Sequence, residues 1–167
     1  MKNLFLIYLF LCSTFSYSQI DTIKIDYPKI KYVVNKVDSL NAEKIYIKTK
    51  SWIGTHYKNP SIVLKYDIKN ETIRIDGLDN FSFSWMGTQT YDFTYTLNID
   101  FKEGKYKVEF SNIVLFKMQT APDFFYDKYG IRKTQRVNID MCNSFINTLN
   151  DINLSLYNHI NQKQKDW

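Results

Sequence analysis

The sequence predicts an α+β domain in which an antiparallel sheet is covered on one face by two helices. Two patterns carry that expectation. From Tyr91 to Phe110, apolar and polar residues alternate on either side of a Lys102-Glu-Gly-Lys105 turn. Side chains alternate along a strand with period two, so Tyr91, Phe93, Tyr95, Leu97, Ile99 and Phe101 share a face with Tyr106, Val108 and Phe110 of the returning strand. The second pattern runs from about Ile139 to Ile160, where Cys142, Phe145, Ile146, Leu149, Ile152, Leu156 and Ile160 fall on one helical stripe.

The remaining elements follow in order. Pro28 suits a strand edge, and the alternation of Ile30, Tyr32 and Val34 with Lys31 and Val33 predicts a first strand ending near Val37. Asp38 and Ser39 offer N-caps to a first helix. Its apolar positions Ala42, Ile45, Tyr46, Trp52 and Ile53 recur at helical spacing until Gly54 and Pro60 close the segment. Ile62, Leu64 and Tyr66 predict a second strand and Asp67 to Asn70 a turn. Ile73 and Ile75 open a third strand that continues past a bulge at Gly77 into Phe81, Phe83 and Trp85. The hairpin supplies strands four and five, the latter reaching about Phe116. Met118 to Val137 holds Pro122, Gly130 and clustered aromatics without periodicity, and predicts a long loop. Strand, helix, four strands and helix can form a sheet with one covered face.

Lys2 precedes the apolar run Leu4 to Leu11, and Ser16-Tyr17-Ser18 has the small-x-small form of a signal-peptidase site. Residues 1–18 therefore read as an export leader, and residues 19–167 as one domain. The apolar run is shorter than the roughly 20 residues that a spanning helix needs, so no transmembrane segment is expected in the mature chain. Phe10 and Leu11 are large where a lipobox before Cys12 would want small residues. Exported, periplasmic or extracellular, is the expected location. Loss of the leader leaves Cys142 as the single cysteine and excludes an intramolecular disulfide.

The net charge of +5 is spread along the chain without a long basic run, and no nucleic-acid partner is expected. His56, His159 and Cys142 do not supply metal-ligand spacing, and no cofactor motif, phosphate loop or nucleophile elbow occurs. Cys142 and His159 lie 17 residues apart on one predicted helix, about 25 Å along its axis, too far for a thiol dyad.

The order of elements, with Ile45-Tyr46 and Trp52-Ile53 on the first helix, the turn and strand from Asp67 to Gly77, the hairpin from Tyr95 to Phe110 and a terminal Asp166-Trp167, resembles an uncharacterised exported Bacteroidota family described as TBP-like in fold. The resemblance covers roughly residues 27–167. It implies a two-layer β-α-β4-α domain in a Gram-negative envelope or extracellular setting, and brings no catalytic residues.

What remains is aromatic excess, 17% of the chain, with Ala42 and Ala121 as its only alanines. Large inward residues predict a filled core. The functional expectation is a non-catalytic binding or interaction domain of the envelope, with Phe124, Phe125, Tyr126 and Tyr129 as partner or ligand contacts. The alternative is a carrier of a small apolar ligand in a pocket between the sheet and the C-terminal helix. An unrecognised hydrolase ranks third.

Overall fold

A computed structural model describes residues 20–116 and 119–162. The leader expected over residues 1–18 and the terminal Asp166-Trp167 lie outside the described residues. Strands β1 (Lys24–Asp26) and β2 (Lys29–Lys31) form a small hairpin of their own around a cis Tyr27-Pro28 peptide. The main sheet has six strands. Its path is β3 (Val33–Lys36), β7 (Lys105–Leu115), β6 (Thr88–Lys102), β5 (Thr72–Ser84) and β4 (Leu64–Ile68), with β8 (Gln119–Thr120) also on β7. Every pairing is antiparallel. Helix α1 (Ala42–His56) carries the chain from one sheet edge to the other, and helix α4 (Arg136–Asn161) returns over the same face. With the short helices α2 (Pro60–Val63) and α3 (Ala121–Phe125), the β-α-β4-α order is the observed one.

Several boundaries differ from the sequence pattern, each for a local reason. The expected first strand is broken at Tyr32. β2 pairs with β1 and β3 with β7, and the phase slips between them. Val33, Asn35 and Val37 are therefore inward while Tyr32 is 53% exposed. The N-cap of α1 is Asn41, whose Oδ1 accepts from the Lys44 N–H at 2.9 Å. Asp38 and Ser39 sit instead in a turn docked on the β6–β7 tip, where Val37 N–H donates to the Gly104 carbonyl and Gly104 N–H to that of Leu40. Pro60 opens α2 instead of only ending α1, since proline is tolerated in a helix's first turn. Ile62 therefore belongs to a helix, and Tyr66 is turned outward beyond a register shift in β4. Gly77 makes no bulge, because it pairs directly with Tyr95. The bulge lies in β7, where Asn112 at φ +49° marks one extra residue and brings Ile113 and Leu115 inward after Phe110.

The core between sheet and helices is built from large apolar side chains. Phe93, Leu97, Ile99, Ile73 and Ile75 from the sheet meet Ile45, Trp52 and Ile53 of α1 and Phe145, Leu149, Ile152 and Leu156 of α4. Phe145 stands edge-on to Phe93 at 5.2 Å and to Phe81 at 5.6 Å, a favoured aromatic geometry. A buried polar pair crosses this layer. Asn35 Nδ2 donates to Asn153 Oδ1 at 2.7 Å, and Asn153 Nδ2 reaches the Asp21 carbonyl at 3.4 Å.

Candidate functional site

The segment expected to be a loop is largely ordered by hydrogen bonds. β8 adds to β7 beyond the bulge, and α3 begins with Ala121 and Pro122 buried. The helical turn sends its two phenylalanines different ways. Phe125 is 1% exposed and lies 5.6 Å from the Phe145 ring, so it belongs to the core and not to the surface where a partner contact was expected. Phe124 is half-buried against Phe116, and Phe116 stands edge-on to Tyr91 at 4.7 Å. Lys133 Nζ lies 5.6 Å from the Phe124 ring and donates to the Phe124 carbonyl at 2.6 Å.

Beyond α3 the chain extends at Tyr126, which makes an antiparallel bridge with Arg132. The Tyr126 ring stacks on Tyr27 at 5.6 Å. Between the bridged residues, Asp127 closes a tight loop. Its Oδ1 accepts from the N–H groups of Tyr129 and Ile131, both at 2.9 Å, while its own N–H donates to the Ile131 carbonyl. Gly130 takes φ +76°, and a Cβ there would come within 2.9 Å of the Tyr27 ring. Backbone shape and close approach both require glycine at that position. The loop presents Tyr129, 74% exposed, and Ile131, 62% exposed. The four aromatic candidates are thus dispersed: Tyr129 on the surface, Phe124 and Tyr126 partly covered in separate stacks, and Phe125 inside.

A cleft of about 420 Å³ opens at the stem of this loop. Tyr126 and Arg132 form one wall, Lys24 and Ile25 of β1 a second, and Cys142, Asn143, Ile146 and Asn147 of α4 the third. It lies beside α4, not between that helix and the sheet. The Arg132 guanidinium donates to Asn143 Oδ1 at 2.9 Å and approaches the Ile139 carbonyl at 3.5 Å. Burial pushes the Cys142 thiol up, and the neighbouring Arg132 offsets part of that shift. The thiol is accordingly held in its neutral form. Burial likewise lowers His159, which shares the continuous helix α4 with Cys142, with the nearby Lys48 charge adding to the shift. His56 lies elsewhere, stacked on Trp52 at 4.5 Å. Among the described residues, no helix is long and apolar enough to cross a membrane, and no group of three or more His, Cys, Asp or Glu converges.

Arg132, Tyr27 and Asn143 were not legible as site residues. They come from three separate segments, and their convergence depends on where the β1–β2 hairpin docks against α4.

A family described as a domain of unknown function (DUF4468) with TBP-like fold matches residues 32–116. Two crystal structures are similar in fold. A DUF4468 family protein from Bacteroides ovatus superposes with a TM-score of 0.65 at 14% identity, over 87% of this chain and 94% of that one. A TBP-like protein from Parabacteroides distasonis gives 0.63 at 14% identity, over 84% and 98%. No curated protein matches the chain. The family match ends at Phe116, just before the segment that forms the loop and cleft.

Proposed function

This chain belongs to the DUF4468 family, with its TBP-like fold, and from that premise we propose that it is an exported, non-catalytic interaction domain. It engages an envelope protein through the loop between Tyr126 and Arg132. The observation that carries this reading is the Asp127-centred loop, which holds Tyr129 and Ile131 outward on a hydrogen-bonded frame. An exposed aromatic on a preordered backbone loses little entropy on binding and makes an effective anchor. Export is supported by the leader pattern of residues 1–18. The carrier reading has less support, because the space between sheet and helices is occupied by Phe145, Phe93, Leu149 and their neighbours.

A photo-crosslinking residue at position 129, expressed in the native envelope, tests the proposal. The expected result is a discrete protein adduct that is absent when the crosslinker replaces Tyr66, which is also exposed (52%) but lies on the opposite sheet edge. No adduct at 129, or the same adducts from both positions, counts against it.

A further inference from the structure

We propose that the cleft at the loop stem receives a carboxylate of an acidic peptide, with Arg132 as its anchoring cation. This rests on the reading of the loop as a contact surface and names the chemistry of what it contacts. Two cationic side chains, Arg132 and Lys24, line the cleft, together with the side-chain amides of Asn143 and Asn147. No carboxylate contributes to the lining. Among the described residues neither cation forms an ion pair, and Asp26, on the same strand as Lys24, pairs with neither.

Arg132 is also preoriented. Its bonds to Asn143 Oδ1 and the Ile139 carbonyl involve one terminal nitrogen, while a guanidinium carries five N–H donors in a planar fork. The remaining donors suit a bidentate acceptor, and a carboxylate presents two oxygens with matching geometry. Ile25, Ile146 and the Tyr126 ring supply apolar walls for a short alkyl stem, such as that of an aspartate or glutamate side chain. At about 420 Å³, the cleft falls in the roughly 300–1,000 Å³ range of small-ligand sites. A peptide is favoured over a free metabolite because the bridge that walls the cleft also carries the loop presenting Tyr129 and Ile131. Residues flanking an inserted carboxylate would lie against that exposed pair.

The test uses the ¹⁵N-labelled mature chain and four probes at millimolar concentration. They are acetyl-Gly-Glu-Gly-amide, its Gln counterpart, acetyl-Gly-Gly-Gly with a free carboxyl terminus, and inorganic phosphate. The expected result is a shift of the Arg132 Nε–H and of the Asn143 and Asn147 side-chain amides with at least one of the two acidic peptides. Which one acts distinguishes a side-chain from a terminal carboxylate. The Gln peptide should bind at least about tenfold more weakly than whichever acid binds, as should that acid to Arg132→Gln, in line with the strength of hydrogen bonds between charged groups. Lys24→Gln, which leaves the Arg132 bonds intact, should weaken binding severalfold and guards against a folding effect at Arg132. Shifts with the Gln peptide as large as those with the acid that binds, shifts that persist in Arg132→Gln, or preference for phosphate over both acids would overturn the assignment. If neither acid moves the cleft signals, the carboxylate proposal falls, while crosslinking at position 129 decides the role of the loop separately.

Discussion

Replacing Gly77 with alanine should destabilise the fold, although the backbone there does not need glycine. Gly77 is absent from the left-handed positions of the chain, which are Gly87, Gly104 and Gly130 among its glycines. The requirement is for space. Gly77 faces Tyr95 directly across β5 and β6, and an added Cβ would lie 2.4 Å from Tyr95 Cζ, 2.6 Å from its Oη and 2.8 Å from Cε2. Carbon atoms in ordinary contact stay about 3.5 Å apart or more, so the ring would have to withdraw by about 1 Å. It has little room to do so. Tyr95 is 2% exposed, lies between Phe93 at 5.6 Å and Phe110 at 5.4 Å, and shares a hydrogen bond with the Tyr57 hydroxyl at 2.9 Å. Burial pushes the Tyr95 hydroxyl up to about 12 and raises Tyr57 further, so both stay protonated at any working pH. Overpacking costs about 1–3 kcal/mol, and a buried hydroxyl left unpaired about 1–3 more. The loss of unfolded-state entropy on going from Gly to Ala returns about 0.4–1 kcal/mol. The net expectation is a loss of about 1–5.5 kcal/mol, read from urea unfolding midpoints at an unchanged m value. In a Tyr95→Leu background the clash is gone, and Gly77→Ala should cost about 0.5 kcal/mol or less. Equal costs in the two backgrounds, or stabilisation of the wild-type chain by alanine, would refute the steric argument.

Three further outcomes follow from the same structure. Asn153→Leu strands the buried Asn35 amide and should cost about 1–3 kcal/mol by urea unfolding, with Asn35→Leu in addition restoring part of it. Lys48 Nζ donates to the Ile160 carbonyl at 2.7 Å and the Gln162 carbonyl at 2.6 Å, so Lys48→Met should lower stability by about 1 kcal/mol and speed amide exchange in the last turn of α4. Cys142 is 3% exposed and its thiol is raised in pKa by burial, so iodoacetamide at pH 8.5 should modify the folded chain at least about tenfold more slowly than the urea-unfolded one. Equal rates would show that the thiol is not enclosed as described.

The parts of the fold legible in the sequence were those in which one periodicity runs unbroken inside one ladder or one helix. The β6–β7 hairpin and α4 satisfy that condition, and the predicted residues are buried or half-buried up to Phe110 and along the stripe from Cys142 to Ile160, although α4 also buries Asn153, which lies outside that stripe. The pattern misleads where neighbouring residues join different partners. Ile30, Tyr32 and Val34 alternate as smoothly as any true strand, yet Lys31 pairs with Lys24 and Val33 with Val108. Alternation records a pleat and not the ladder to which it belongs. The β7 bulge and the single turn of α3 are shorter than the window from which a period can be read, so the burial of Ile113 and Phe125 was out of reach. Of the candidate contacts, Tyr129 lies on the surface because Asp127 satisfies the loop's amides locally, and an aspartate two residues before an aromatic is a weak signal by itself.

The fold places a second broad surface in contact with solvent, the sheet face opposite the helices, and its chemistry argues against it as the principal contact site. Lys107 Nζ is shared between Asp100 at 2.8 Å and Glu109 at 3.1 Å, and Asp100 also accepts from the Thr72 hydroxyl at 2.7 Å. Thr96 donates to Asp76, and Ser82 bonds Thr90 across the β5–β6 ladder. A partner docking there would have to break these pairs and would recover at most what it displaced, since exposed ion pairs contribute little in either state. Charges of both signs alternate over the face, so it also lacks the single-sign field that gathers a polyanion. At the loop stem the balance is reversed. Arg132 is oriented by a neutral amide and a carbonyl, and Lys24 stands beside it without an ion pair among the described residues, so an incoming carboxylate would add bonds without first breaking an ion pair.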